Sequence, residues 1–146
     1  MKFICDAPDG ATWFRIETDG EAAQESALMQ HAVEKHFLRE KAAAEKAFKP
    51  TSASYFEGNI GLEAHIQRTM PLFLTLRDGD GDALVTAMLP PGGQEVDGFR
   101  MIIVGPKNGD PYPANDGAIE ALGAHFGLTL DRASCFPYQR DSGGAP

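Results

Sequence analysis

Residues 72–89, LFLTLRDGDGDALVTAML, decide the fold. Two apolar runs, Leu72–Arg77 and Ala83–Leu89, flank five residues that alternate aspartate and glycine. Glycine accepts backbone conformations that other residues avoid, so this segment makes a tight chain reversal easy. The stretch therefore predicts a β-hairpin, and the apolar segment 99–104 predicts a third strand that extends it as a meander.

The N-terminus shows a second, smaller hairpin pattern. Lys2–Asp6 and residues 12–17 are short runs rich in Phe, Ile and Trp. Pro8–Gly10 between them is typical of a turn, because proline fixes φ and glycine accepts positive φ. Trp13 and Phe14 are adjacent in the second strand, so they should point to opposite faces of the sheet.

One long amphipathic helix is predicted over residues 18–49. Thr18 and Glu21 match a capping box at its start, and Pro50 forbids its continuation. The apolar residues recur at helical spacing on a single stripe. These residues are Met29, Val33, Phe37, Ala44 and Phe48.

The remaining segments are less regular. Residues 59–70 fit both periods: Ile60, Leu62 and Ile66 belong to a strand-like alternation, whereas Leu62, Ile66 and Met70 are spaced by four. We expect a short helix there, since Glu, Ala and Gln are poor strand formers. A second helix is predicted over 113–126, with Pro113 in its first turn and Gly127 at its end. Residues 129–138 are predicted to be extended, as an edge strand.

Together these elements predict an α+β fold in one domain over residues 1–138. Its single antiparallel sheet has about five strands, the N-terminal hairpin plus the three-strand meander, with one long and one shorter helix packed on it. Residues 139–146 are predicted to form a disordered tail. The order of hairpin, helices and meander resembles that of PAS-like sensor domains.

The overall charge limits the classes of partner. The 146 residues include 13 Lys+Arg and 21 Asp+Glu, a net charge of −8, which argues against nucleic acid as a partner. No apolar run is long enough for a signal peptide or a membrane span, so we expect a cytoplasmic protein without a membrane partner. Cys5 and Cys135 have no zinc-site spacing and are expected to be reduced thiols.

No motif predicts a metal, another cofactor or a catalytic residue. Asp78, Asp80 and Asp82 resemble the start of a calcium loop, but Ala83 replaces the required glycine and Leu89 the required glutamate. A solvated hairpin turn is the simpler interpretation. His31 and His36 are five apart, about 140° around a continuous helix, so they should not share one ion.

The outer face of the predicted long helix carries a cluster of positive charge. The functional interpretation is a surface that binds an acidic protein partner, with nucleic acid as a weaker option. The alternative is a solvated face with i,i+4 ion pairs. The residues proposed for partner binding are His31, Lys35, Arg39 and Lys46.

Two hypotheses of function follow. The first is a non-enzymatic, intracellular binding or regulatory domain that acts through protein–protein contacts as a homodimer; surplus aromatic residues, such as Tyr55, Phe56 and the segment 136–138, suggest its apolar interface. The alternative is a PAS-like small-molecule sensor or small enzyme, with a pocket between the sheet and the long helix. That pocket would draw its polar residues from Glu63, His65, Arg77 and Arg100.

Overall fold

The sheet follows the predicted meander. The computed structural model describes residues 1–49 and 59–135. Within them, five antiparallel strands lie side by side in chain order, which confirms the predicted α+β fold. The strands are β1 (Lys2–Asp6), β2 (Thr12–Arg15), β3 (Leu72–Arg77), β4 (Ala83–Leu89) and β5 (Ile102–Val104).

The bounds of β1, β3 and β4 are those predicted, while β2 and β5 are shorter. β2 ends at Arg15 because the N–H of Glu17 donates to Glu21 Oε1 (2.8 Å) in the helix cap. β5 begins at Ile102, not residue 99, since its partner strand β4 is followed by Pro90 and Pro91, which have no N–H to pair.

Helices cover both faces of the sheet. Helix α4 (Asp116–Phe126) packs on the face that carries Trp13, whose Nε1–H donates to the carbonyl of Ala118 (2.8 Å). Helices α1 (Asp19–Met29), α2 (Val33–Ala47) and α3 (Asn59–Thr69) lie on the other face, where Ile16, Phe37 and Phe73 form a second core cluster. Phe14 pairs with Thr75 and points to this second face, opposite Trp13 as predicted, and is half-buried.

The prediction of one helix over 18–49 is wrong: the segment is a helical hairpin. The capping box at Thr18 is present, but α1 ends at Met29, and Gln30 adopts the left-handed conformation (φ 54°, ψ 52°). Lys41 of α2 returns to Asp19 at the start of α1, with its Nζ 2.7 Å from Oδ1. The two helices are therefore antiparallel, and residues 18–49 do not form one continuous helix.

Side-chain acceptors from α1 and from the turn itself stabilise the turn. The segment 30–32 contains no glycine or proline, and the N-cap of α2, Ala32, has no side-chain oxygen. Instead, the Ser26 hydroxyl of α1 accepts from the Glu34 N–H (2.8 Å) and the His31 Nδ1 accepts from the Val33 N–H (3.4 Å). These acceptors satisfy N–H groups that an uncapped helix would leave unpaired.

Replacing Gln30 with glycine should raise the free energy of unfolding by roughly 0.5–1 kcal/mol, because the left-handed conformation is unfavourable for every residue with a Cβ. The control is Gln24→Gly, the same change at an exposed position inside α1, which should lower the free energy of unfolding by roughly 0.5–1 kcal/mol. Urea denaturation measures both. Destabilisation by both variants would mean that residue 30 lies within a continuous helix.

The helices after α2 agree in part with the sequence interpretation. The short helix expected over 59–70 is confirmed as α3. α4 starts at Asp116, not at Pro113, because the N–H groups of Asn115 and Asp116 close a preceding turn on the carbonyls of Pro111 and Pro113. Gly127 ends α4 at φ 72°, as predicted.

The predicted edge strand over 129–138 is wrong for residues 129–135. Asp131 and Ser134 close a turn there, with the Ser134 N–H donating to Asp131 Oδ1 (2.8 Å). Residues 136–138, Tyr55 with Phe56, and the predicted tail 139–146 lie outside the described residues. In the described part of the chain, no helix is both long and apolar enough to cross a membrane.

Candidate functional site: a cleft beside the helical hairpin

A cleft of about 320 Å³ opens between the α1–α2 turn and the strands β4 and β5. The α1–α2 turn forms one side of it, since His31, Ala32 and Val33 all line the cleft. The described residues that line it are His31, Ala32, Val33, His36, Phe73, Thr86, Ala87, Met88, Ile102, Val104 and Asn108.

The floor of the cleft is apolar and its rim is polar. Met88 pairs with Ile102, and Thr86 with Val104, so these side chains share the face that carries Phe73. His31 and His36 from the hairpin and Asn108 from the turn after β5 form the rim. Among the described lining residues, none carries a carboxylate.

A network of buried polar side chains lies beside the cleft and contacts its lining residue Thr86. Glu25 of α1 faces the sheet and is fully buried. Its Oε1 accepts from Arg77 Nη2 (2.8 Å), and its Oε2 accepts from the Thr86 hydroxyl (2.5 Å). Arg77 Nε also donates to the Thr75 hydroxyl (3.0 Å). The buried charge is thus paired and hydrogen-bonded, as low-dielectric surroundings require.

The network fixes the tautomer of His31. Its Nε2 lies 2.9 Å from the Thr86 hydroxyl oxygen. The Thr86 hydroxyl has one proton and donates it to Glu25. His31 Nε2 must therefore be the donor to the Thr86 oxygen, while Nδ1 accepts from the Val33 N–H. This arrangement fits the neutral imidazole with its proton on Nε2. Burial has the largest effect on the pKa of the imidazole and lowers it, a hydrogen bond to the backbone of His31 itself and the charge of Glu25 raise it, and His36 lowers it.

His36 is the second imidazole of the cleft. It is half-buried, and burial lowers its pKa; the cations Arg39 and Lys35 lower that pKa further, against the opposing effect of Glu40. The predicted angle of about 140° between His31 and His36 assumed a continuous helix, and α1 ends before His31, so that angle does not apply. That the two do not share one ion stays a prediction. The left-handed Gln30 brings both to one cleft.

The residues predicted for partner binding are separated. Lys35, Arg39 and Lys46 are exposed on α2, where the sequence placed them. His31 does not lie beside them, because it precedes α2 and turns inward to Thr86. The positively charged face of α2 therefore comprises Lys35, Arg39 and Lys46, without His31.

The residues predicted for the pocket do not meet in one place. Glu63 is exposed on α3 and Arg100 is exposed before β5. His65 packs its ring 5.1 Å from that of Phe48 and has a buried Nε2 without a hydrogen-bond partner. Only Arg77 reaches the network, and it contacts Glu25, not the cleft.

The sequence interpretation missed Glu25 and Thr86, and it considered His36 without proposing it as a site residue. One signal was available: Glu25 lies three residues after Ala22 and four before Met29, so a carboxylate occupies the apolar stripe of α1. A charged residue at such a position must find a buried partner.

Two other groups of chemical interest are the Asp78–Asp82 turn and the two cysteines. Asp78 Oδ1 accepts from the N–H groups of Asp80 and Asp82 (both 2.9 Å), which closes the hairpin turn. The three carboxylates lie within 4.8 Å of one another, as a solvated turn allows. Cys5 and Cys135 are free thiols, and burial raises the pKa of each, which disfavours the nucleophilic thiolate.

Comparison with protein-family models, with curated proteins and with solved structures finds no match to this chain. The chemistry of the cleft is therefore the basis for the function proposed below.

Proposed function

We propose that the protein binds a small, largely apolar molecule in the cleft between the α1–α2 turn and strands β4 and β5. The observation that carries this is the apolar floor at the base of a cleft of about 320 Å³. That volume is at the lower end of the range of about 300–1,000 Å³ typical of small-molecule sites.

The composition of the cleft supports a ligand rather than water. Phe73, Met88, Ile102 and Val104 offer few hydrogen bonds to solvent, and covering apolar surface is favourable by roughly 25 cal/mol per Å². The polar rim gives a ligand one defined end, since small-molecule sites combine apolar walls with a few placed polar groups.

The protein-docking hypothesis has less support. It relied on a continuous helix with His31, Lys35, Arg39 and Lys46 on one face, and the hairpin leaves only three of these residues together. Binding to a protein partner and homodimer formation stay predictions.

The test uses N-phenyl-1-naphthylamine, a neutral aromatic probe whose fluorescence rises in apolar surroundings. We expect saturable binding to the full chain and a thermal midpoint that increases with probe concentration. Ile102→Trp places a larger side chain on the floor and reduces the volume of the cleft. It should weaken binding by about tenfold or more, since an overfilled site excludes its ligand. Ala32→Phe at the exposed turn is a second variant that narrows the same cleft.

The matched control is Leu38→Trp, which adds the same indole at a 40% exposed position of α2 that does not line the cleft. It should leave probe affinity unchanged. Absence of saturable binding to the unmodified chain, or equal affinity in the two narrowing variants and the control, would contradict the proposal.

A further inference from the structure

The polar end of the cleft has an unusual composition. Two imidazoles, His31 and His36, face the same space, and no described lining residue is acidic. The nearest carboxylate of the network, Glu25, lies behind Thr86 and is paired with Arg77 at 2.8 Å. A group bound at this end would therefore meet proton-accepting nitrogens and no directly opposing negative charge.

We propose that the ligand is a small amphiphilic anion, with an apolar body on the floor and an acidic head at the two histidines, and that its binding takes up a proton there. This inference rests on the proposed function, and it names the chemical class of the occupant.

The charges around the histidines favour an anionic head. Beside His36, the cations Lys35 and Arg39 outnumber the single carboxylate Glu40. The turn that carries Asn108 also carries Lys107, which is exposed. Although the whole protein has a net charge of −8, the charged side chains that act on His36 are mainly positive.

On the side of His31, the charged groups are those of the buried network. Among the described residues, Glu25 of α1 is the carboxylate that acts on its ring, and the guanidinium of Arg77 from β3 balances that charge. The dipole of α2, whose first residue is Val33, also favours an anion at this end. The dipole of α2 and the neighbouring cations add to the attraction that the two histidines exert on an anion.

Proton uptake follows from the surroundings of the two histidines in the free protein. Burial lowers the pKa of each imidazole below its ordinary value, which favours the neutral form. An anion a few ångströms away stabilises the imidazolium and so raises that pKa in the complex. On His31 the new proton goes to Nδ1, since Nε2 already carries one, and it displaces only the long hydrogen bond from Val33 (3.4 Å).

The pH dependence has a definite sign. Because the complex binds more protons than the free protein, affinity for an anion rises as the pH falls through the region of the ordinary histidine pKa of about 6.5. Each proton taken up contributes at most about tenfold in affinity per pH unit. A neutral ligand gains nothing, since it has no charge to stabilise the imidazolium.

The experiment compares two probes with the same aromatic body. One is the neutral N-phenyl-1-naphthylamine, and the other is its sulfonate, 8-anilino-1-naphthalenesulfonate. From about pH 8 to about pH 5.5, the affinity of the sulfonate relative to the neutral probe should rise by about tenfold or more. Calorimetry in buffers of different ionisation enthalpy should detect proton uptake with the sulfonate alone. Circular dichroism at each pH checks that the protein stays folded, because the sulfonate also binds partly unfolded states.

Histidine variants assign the effect. His36→Gln and His31→Gln should each reduce the pH-dependent gain, while His125→Gln, in α4 on the opposite face of the sheet, should retain it. NMR titration of the unmodified protein should show that the sulfonate raises the pKa of His31 or His36. This measurement keeps the test valid if His31→Gln does not fold.

The possible failures are distinguishable. If the neutral probe does not bind, the proposed function is wrong and this inference falls with it. If the neutral probe binds but the sulfonate shows no pH-dependent advantage, or keeps that advantage in both cleft variants, the anionic ligand is wrong and the apolar cleft remains.

Discussion

Replacing Glu25 with alanine should lower the free energy of unfolding by about 3–5 kcal/mol, the expected effect of removing one partner from a buried ion pair. Glu25 is fully buried, and it accepts from Arg77 (2.8 Å) and Thr86 (2.5 Å). The alanine leaves the largely buried guanidinium of Arg77 without the carboxylate of Glu25, whose side chain is fully buried. Urea denaturation of the unmodified chain and the variant measures the difference.

The matched control is Lys41→Ala, which breaks an exposed ion pair that also involves α1. Lys41 Nζ lies 2.7 Å from Asp19 Oδ1 near the surface, so its loss should change the free energy of unfolding by less than about 1 kcal/mol. Replacing Glu25 and Arg77 together with leucine should recover much of the loss, because apolar side chains can substitute for a buried pair. A loss for Glu25→Ala no larger than that for Lys41→Ala would contradict the buried pairing.

The sheet was predictable because its determinants are local. The apolar runs of β3 and β4 and the Asp-Gly segment between them specify a hairpin without reference to the rest of the chain. The register that follows places Phe73, Thr75 and Thr86 on one face. Local sequence patterns also predicted the capping box at Thr18 and the end of α4 at Gly127.

The helical hairpin was not predictable in this way. The periodicity of Met29, Val33 and Phe37 passes through the break, and all three residues are indeed buried. What ends α1 is a set of nonlocal contacts: Ser26 caps Glu34 eight residues later, and His31 binds Thr86, 55 residues away. A helical wheel contains no information about such pairs.

The candidate site depends on that break. Its floor comes from three strands, and its rim from a turn that the pattern of residues did not reveal. Arg77 was singled out from the sequence as a pocket residue, but its partner Glu25 and the connecting Thr86 were not. Polar residues inside apolar stripes, such as Glu25 and Thr86, were the available signal, and their pairing required the tertiary structure.

Replacing Phe73 with alanine should lower the free energy of unfolding by about 3–5 kcal/mol, through lost burial and the cavity left behind. Phe73 is 1% exposed, and its ring lies edge-on to that of Phe37, with centroids 5.4 Å apart. This contact holds α2 on β3, and the same ring contributes to the floor of the cleft. Urea denaturation of the full chain measures the loss.

The control for this change is Phe3→Ala, the same substitution on the edge strand β1, where the ring is 55% exposed. Its effect should stay within about 0.5 kcal/mol, as for most surface substitutions. The cavity left by Phe73→Ala adjoins the cleft, so N-phenyl-1-naphthylamine should restore part of the lost stability in this variant and none in Phe3→Ala. If both variants lose similar stability, or if the probe rescues neither, Phe73 does not connect the second core cluster to the cleft.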